Sequence, residues 1–386
     1  MNHMSKYIKP VAATVLILIT LFNVGSAVFT AKDKYTAFNL QQRYDSLKFA
    51  YEDSQYANKK ATAWIPDEPV NTYAGMAYVK GVNPVLIASD TPPLGRYLIG
   101  ATGLIFNNEN VITLIAGAIS LLFLYLLGTQ LFSSKVIALI PLALVSFEPL
   151  FKNQFIYTPL LDLMQLMFLL PLFYVFNIAL VRKKGYTKYF VGASILLGCF
   201  IATKFFVSGV TIVGASIIVL LLNFDKRKFL TYIFTLPIAV FVLLFTYVRA
   251  LFDDPNLRNF LGIQKYVYTY HKSQLMFPFS IWPFIYFNQW YVWWGDKPVI
   301  SDNQWTYTWP VVTTLSLFTS IAYFFKKIPR KKEVEILLVW TIVYLGFFSI
   351  GQITPRYLVI LLPVLYLIAV YGIVQLLPAK LKLIKS

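Results

Sequence analysis

Asp67 and Glu68 stand side by side in a polar stretch, and a carboxylate so placed can take the proton of an attacking hydroxyl. Adjacent acids also suit the first turn of a helix, where they meet the positive end of its dipole. Residue type and spacing leave both roles open. Lys204, Arg356, Arg96 and Lys152 bring the opposite charge, and a fixed ammonium or guanidinium compensates phosphate through charge-assisted hydrogen bonds. Lys204 lies between two short apolar runs with no other charge nearby, and an ion at that depth is a functional candidate by default. Arg356 follows a proline and precedes an apolar run, a position that equally suits an ordinary interfacial arginine. Asp162 falls inside an apolar stretch, where a carboxylate costs about 2.5–3.5 kcal/mol at the bilayer centre. It needs a partner, and Lys204 or Lys152 can provide one.

Other catalytic outfits are excluded by what the chain lacks. The single cysteine, Cys199, lies in an apolar run, so there is no disulfide framework and no thiol metal site. His3 and His271 are the only two histidines and stand far apart, which rules out a His-based zinc site or a Ser-His-Asp arrangement. No metal site is expected. Chemistry must rest on carboxylates and basic groups.

The elements that position these residues are apolar. Of 386 residues, 58% are hydrophobic and 13% charged, where soluble domains have roughly 45–50% and about 25%. The pattern is an all-α integral membrane protein, one membrane-embedded domain over 1–386. A first apolar run over 10–31 has the ~20 residues that a spanning helix needs. It reads as a retained anchor, although Gly25-Ser26-Ala27 resembles a signal cleavage site. Further runs at 111–132, 135–151, 157–181, 186–203, 205–224, 229–250, 308–325, 334–350 and 356–377 bring the expectation to ten spans.

Two polar regions interrupt them. Region 32–110 is a long external loop in which eight Lys/Arg balance eight Asp/Glu. Leu40, Tyr44, Leu47 and Tyr51 draw one apolar stripe at helical spacing, predicting a helix along the membrane surface. Leu94 to Phe106 forms a helix too brief to span, with Asp90 suited to its cap and Pro92-Pro93 to its first turn. The second external region, 251–307, holds an amphipathic piece and then an aromatic cluster; its 281–294 part is apolar enough to dip into the bilayer. Six of the eight tryptophans, Trp282, Trp290, Trp293, Trp294, Trp305 and Trp309, crowd there. An interfacial belt accounts for Trp305 and Trp309, while Trp293 and Trp294 suit either a belt or a sugar-stacking wall.

Charge sets the orientation. Ten spans gather 18 of the 34 Lys+Arg on one face, accompanied by only Asp225, Glu333 and Glu335. Because short cytoplasmic loops are rich in Lys and Arg, both termini are expected to be cytoplasmic and both polar regions external. The formal charge of +17 is sorted by side, which points to membrane lipids and away from nucleic acid.

The run DEPVNTYAGMAYVKG followed by TPPLGRYLIG resembles the first external loop of the C-type (GT-C) glycosyltransferases, in particular the protein O-mannosyltransferases of glycosyltransferase family 39 and their bacterial relatives. The likeness continues in order through FEPLFKNQFIYTPLLDLMQ, GCFIATKF, the Trp-rich 282–309 region and TPRYLVILLPV, and covers most of the chain. It implies that Asp67 is the base and that Glu68 orients the acceptor or holds Asp67. It also implies Lys204, Arg356, Arg96 and Lys152 at the donor phosphate, with Asp90, Asp162, Trp293 and Trp294 lining the site. Three positions depart from the family pattern: Thr91 replaces a histidine, Arg96 a lysine, and Tyr157 a basic residue for which Lys152 is the nearest substitute.

The resemblance implies inverting transfer of a hexose, mannose first, from a polyprenyl-phosphate sugar to a hydroxyl, on Ser or Thr of a protein. No cofactor beyond that donor is implied, and no divalent cation is assigned. A transferase acting on a lipid or cell-envelope glycan is the rival within the class. A lipid flippase or transporter is the rival outside it, and the absence of internal repeats counts against that one.

Overall fold

Long apolar runs become helices because lipid offers backbone polar groups no partner, and a helix satisfies them internally. The computed structural model describes all residues except 1, 59, 62–63, 205–206, 273–276, 293–297, 352 and 377–386. Trp293 and Trp294 therefore lie outside the described residues. The chain begins with α1 (Asn2–Thr30) and the single turn α2 (Lys32–Tyr35), whose Tyr35 hydroxyl donates to the carbonyl of Phe155 at 2.9 Å.

Region 32–110, the loop expected to be external, is a packed unit among its described residues. The stripe of Leu40, Tyr44, Leu47 and Tyr51 forms on α3 (Leu40–Glu52), but Tyr44, Leu47 and Tyr51 turn toward α4 (Asp67–Val79), joining Val70, Tyr73 and Ala74 in a small core. The stripe meets protein, because α4 presents nine consecutive buried residues, Val70 to Tyr78, that must be covered. Helix α5 (Leu94–Phe106) has the bounds its sequence predicts. It lies backbone to backbone against α4, where a Cβ on Gly100 would come within 2.0 Å of the Gly75 carbonyl oxygen. Only glycine permits that approach.

Helix α6 (Val111–Leu131) follows as expected, but the run over 135–151 is not one straight span. It splits into α7 (Lys135–Phe147) and α8 (Pro149–Ile156), bent by 64°. Pro149 causes the break, since a residue before proline is pushed out of the helical region and Glu148 takes φ −61°, ψ 122°. The bend exposes a carboxylate to the interior, and the protein encloses it. The buried Glu148 accepts from Thr308 Oγ1 at 2.5 Å, from Trp309 Nε1 at 3.0 Å and from the Tyr366 hydroxyl.

The chain continues through α9 (Leu161–Val181), α10 (Thr187–Thr203), α11 (Val207–Leu222), α12 (Lys226–Thr246), α13 (Val248–Asp253), α14 (Leu257–Lys272) and α15 (Ile281–Phe287). A short antiparallel ribbon, Trp290–Tyr291 with Val299–Ile300, comes next. Then come α16 (Thr308–Phe324), α17 (Lys332–Ile350), a 3-10 turn over Pro355–Val359 and α18 (Leu362–Leu376). Among the described residues five helices are long and apolar enough to cross a membrane: α1, α6, α9, α12 and α17. The bent pair makes a sixth candidate, and α5, α10, α11 and α18 are shorter apolar helices of 10–17 residues. Helix α15 buries Ile281, Phe284 and Ile285 within the protein.

The tryptophans differ from an interfacial belt. Trp309 is fully buried on Glu148, while Trp305 donates its indole N–H to the Ile285 carbonyl at 2.9 Å. Trp282 and Trp290 likewise donate inward, to Ser349 Oγ at 3.0 Å and to the Ile353 carbonyl at 2.9 Å. A belt tryptophan leaves its N–H to headgroups and water, whereas Trp282, Trp290 and Trp309 tie the region to α17, the turn before α18 and the α7–α8 bend, and Trp305 binds back onto α15.

Contact of α4 with α5 gives a direct test. Gly100→Ala forces a methyl onto a carbonyl that cannot move aside, at a cost on the order of 1–3 kcal/mol, and should lower the melting temperature in detergent. Gly214→Ala, where nothing lies within 4 Å of an added Cβ, should leave it unchanged or raise it, since alanine is the better helix former. Equal melting of the two variants would mean that α4 and α5 do not meet through their backbones.

Candidate active site

Asp67 opens α4 immediately after Pro66, whose extended backbone ends the preceding loop. From there its carboxylate reaches two partners. The Tyr56 hydroxyl donates to Oδ1 at 2.7 Å, and the Arg356 guanidinium pairs with Oδ2 at 2.6 Å. Burial raises the Asp67 pKa, but Arg356, the Tyr56 hydroxyl and the more distant Lys204 outweigh it and hold the carboxyl below its usual value. The holding role expected of Glu68 thus falls to Tyr56 and Arg356. Glu68 is half-buried and makes no hydrogen bond or ion pair among the described residues.

A second pair lies where α10 stops. Lys204 sits outside the helix at φ −144°, ψ −117°, and its ammonium pairs with Asp162 in the first turn of α9. The same ammonium stands 4.9 Å from the centre of the Tyr357 ring, a cation–π contact beside Arg356. Asp162 therefore has its partner in Lys204.

Both pairs line one cavity of about 470 Å³. Tyr56, Asp67 and Asn71 contribute from the first polar region, Asp162 and Lys204 from the helix ends, and Thr354 to Tyr357 from the 3-10 turn. Asp90, Thr91 and Arg96 line it as well, but Arg96 has other duties. It is 3% exposed, and its Nε bonds Asn71 Oδ1 at 3.1 Å, one Nη bonds the Ala88 carbonyl, and the other pairs with Asp90 at 3.2 Å. Arg96, expected at the donor phosphate, is a strut between α4, α5 and the loop before α5. Asp90, expected as a cap, lies three residues before Pro93, the residue at the cap position of α5, and its carboxylate pairs with Arg96. Lys152, half-buried on α8, does not line the cavity, whereas Lys204 does.

Sequence reasoning missed part of the wall. Trp290, Asp302 and Gln304 line the cavity from the second polar region, as do Tyr56 and Asn71 from the first. Asp302 had a signal, being the one acidic residue in the stretch 298–332, but nothing in its spacing joined it to a site before the first loop. Burial pushes the Asp302 carboxyl up, against the lowering effect of the Gln304 backbone N–H. Two buried hydroxyls of the lining, Thr91 Oγ1 and Thr354 Oγ1, have no hydrogen-bond partner among the described residues, an exception that is uncommon away from functional surfaces. Although four aspartates line the cavity, no three His, Cys, Asp or Glu side chains among the described residues are grouped to hold a metal.

The cavity also has a side. Helix α9 runs from Asp162 to Arg182-Lys183-Lys184, and α10 from Lys188 to Lys204. Helix α16 follows Gln304 and ends at Lys326-Lys327, and α17 runs from Lys332 to the Thr354 turn. Each of these helices has the cavity at one end and basic residues at the other.

Comparison with known proteins bears on this architecture. A family model described as dolichyl-phosphate-mannose-protein mannosyltransferase matches residues 90–250, which include Asp162 and Lys204. The crystal structure of ArnT from Cupriavidus metallidurans bound to undecaprenyl phosphate superposes with a TM-score of 0.56 at 15% identity, covering 81% of this chain and 56% of that one. ArnT from the same organism in the apo state gives 0.55 at 14% identity, covering 82% and 56%. The chain thus spans just over half the length of the ArnT chains it matches. No curated protein sequence matches it. The likeness to the ArnT structures is one of fold.

The lowered Asp67 pKa predicts a pH dependence with a definite sign. With its folded value below the unfolded one of about 3.9, the ionised group contributes its stability in full above about pH 4 and loses it as pH falls through the folded value. The melting-temperature difference between wild type and Asp67→Asn should therefore stay constant from about pH 8 to about pH 5 and shrink only below about pH 4. In a Tyr56→Phe background the plateau should be smaller and the decline, which still begins near the unfolded value, should be complete at higher pH. A difference that already shrinks between about pH 7 and about pH 5 would require a raised carboxyl pKa instead.

Proposed function

We propose that this chain is a membrane glycosyltransferase of the GT-C type that transfers a sugar from a polyprenyl phosphate to an acceptor hydroxyl, with Asp67 as general base; the family match over 90–250 and the ArnT-like fold support this reading. The observation that carries this reading is the convergence of Asp67, Lys204 and Arg356 on one cavity, a base and two cations brought from three distant segments. Sugar transfer from a phosphodiester needs that set. The acceptor oxygen attacks the anomeric carbon, its proton passes to the Asp67 carboxylate, and the bond from carbon to phosphate oxygen breaks with its electron pair remaining on the polyprenyl phosphate. Attack and departure on opposite faces invert the anomeric centre. Lys204 and Arg356 compensate the charge that gathers on the departing phosphate, where fixed cations are most effective in a water-poor site.

The ion pairs have a part in this cycle. Arg356 is paired with Asp67, which makes that carboxylate a weak base. A donor phosphate competes for the guanidinium, and as Arg356 turns to it the Asp67 pKa moves back toward the ordinary carboxylate range. The base strengthens when the donor is in place. Asp162 keeps Lys204 beside the same site meanwhile.

The family description that matches residues 90–250 favours mannose on a dolichyl-type or other polyprenyl carrier and a protein Ser or Thr as acceptor. Undecaprenyl phosphate bound to the structurally similar ArnT supports a polyprenyl phosphate as the carrier. The basic residues at the helix ends remote from the cavity support an external active site and a cytoplasmic face opposite it.

The test is transfer of label from radiolabelled polyprenyl-phosphate-mannose, using the purified protein in lipid with a membrane and protein extract as acceptor. Wild type should label the protein fraction. Asp67→Asn should reach normal membrane levels and lose on the order of 10²–10⁴-fold in rate, the usual contribution of a positioned base. Label in lipid or glycan alone would change the acceptor, and undiminished transfer by Asp67→Asn would remove Asp67 from the chemistry.

A further inference from the structure

Asp67, Asp90 and Asp162 each face a cation in the cavity, namely Arg356, Arg96 and Lys204. The fourth aspartate of the lining, Asp302, pairs with no Lys or Arg among the described residues. It is nevertheless held in place. Asn288 takes the left-handed conformation at the end of α15, φ 54°, and turns its amide onto the Asp302 backbone. It accepts from the Asp302 N–H at 2.8 Å and donates to the Asp302 carbonyl at 3.1 Å. The Gln304 N–H then donates to Oδ1 of Asp302 at 2.7 Å, which leaves Oδ2 without a protein hydrogen bond among the described residues. A side chain fixed this firmly, half-buried and not neutralised, is destabilising on its own account, and a ligand that donates hydrogen bonds would offset the cost.

Its neighbours in the lining narrow that ligand. Gln304 adds an amide that both donates and accepts, and Trp290 adds an indole whose ring is fixed by its N–H bond to the Ile353 carbonyl at 2.9 Å. A carboxylate accepts hydrogen bonds only, so it selects hydroxyl donors and repels phosphate. An aromatic surface beside it suits the C–H face of a sugar ring. The cations at Lys204 and Arg356 suit phosphate, and the Asp302 wall suits what phosphate carries.

We propose that Asp302, supported by Gln304 and Trp290, is the specificity-determining residue for the transferred sugar, accepting hydrogen bonds from its ring hydroxyls. This rests on the proposed glycosyl transfer. Asn288 is a positioning residue, acting on the sugar only through Asp302.

The experiment separates sugar from carrier. Full-length wild type, Asp302→Asn and Gln304→Ala, each in lipid, are titrated with undecaprenyl phosphate, which has no sugar. They are then assayed for kcat and KM with polyprenyl-phosphate-mannose and with the corresponding glucose and galactose donors. Asp302→Asn should bind undecaprenyl phosphate within about twofold of wild type. Its kcat/KM for the preferred sugar should fall roughly 10–100-fold, as expected for a hydrogen bond to a charged group, and its discrimination among the epimeric donors should flatten. Gln304→Ala should shift in the same direction by less, and Asn288→Ala should raise KM without changing undecaprenyl phosphate binding. Unchanged kcat/KM and discrimination in Asp302→Asn would overturn the assignment, as would equal weakening of sugar-free carrier binding. If wild type neither binds undecaprenyl phosphate nor uses any of the donors, the parent reading fails, and the sugar assignment with it.

Discussion

The ion pair between Asp67 and Arg356 joins α4 of the first polar region to the turn before the last helix, at 2.6 Å. Other parts of the site depend on pairs like it, because an ionised group beside an apolar bundle is stable only with a partner of opposite charge. Asp162 meets Lys204 for the same reason, and Asp90 meets Arg96. Three pairs brought together in one cavity fix the relative positions of α4, α5, the α10 end and the 3-10 turn. They also keep cations close to where the proposed phosphate lies, so that little rearrangement separates the resting site from a working one.

Rigid mounts surround these pairs. Gly75 and Gly100 let α4 and α5 touch through their backbones, and Arg96 ties both helices to the Ala88 carbonyl and Asp90. Asp67, at the first turn of α4, inherits that rigidity. On the other side, Trp282, Trp290 and Trp309 turn their indole N–H groups inward and fasten the second polar region to the helix bundle. A functional side chain is held to geometry by such supporting contacts more than by its own bonds.

Glu148 illustrates how a local break is made tolerable. Pro149 forces the bend, the bend turns a carboxylate inward, and Thr308, Trp309 and Tyr366 supply its hydrogen bonds. A buried carboxylate with donors on α16 and α18 fixes how those helices pack against the α7–α8 bend. The site at the other edge of α8 benefits, since the 3-10 turn bearing Arg356 packs on that short helix.

Much of this was legible in the sequence because its causes are local. Hydrophobic runs of sufficient length became helices, the short Leu94–Phe106 helix kept its predicted bounds, and the 3.6-residue stripe of Leu40, Tyr44, Leu47 and Tyr51 formed on α3. Asp67, Lys204 and Arg356 were recognisable as charges in unusual settings, and they line one cavity. Pairing was not legible. Which carboxylate meets which cation depends on long-range packing, so Arg96 became a strut paired with Asp90 and Lys152 stayed outside the lining. Tyr56 carries no motif, and Asp302 and Gln304, though within the Trp-rich 282–309 region, were not singled out; they enter the site because the fold brings the two polar regions over the same helix ends. The sequence by itself determined the helices and the charges that need partners, since periodicity and desolvation act over a few residues. Only the tertiary structure decided the partners, because in an apolar body each buried charge settles on whichever opposite charge the packing brings within reach.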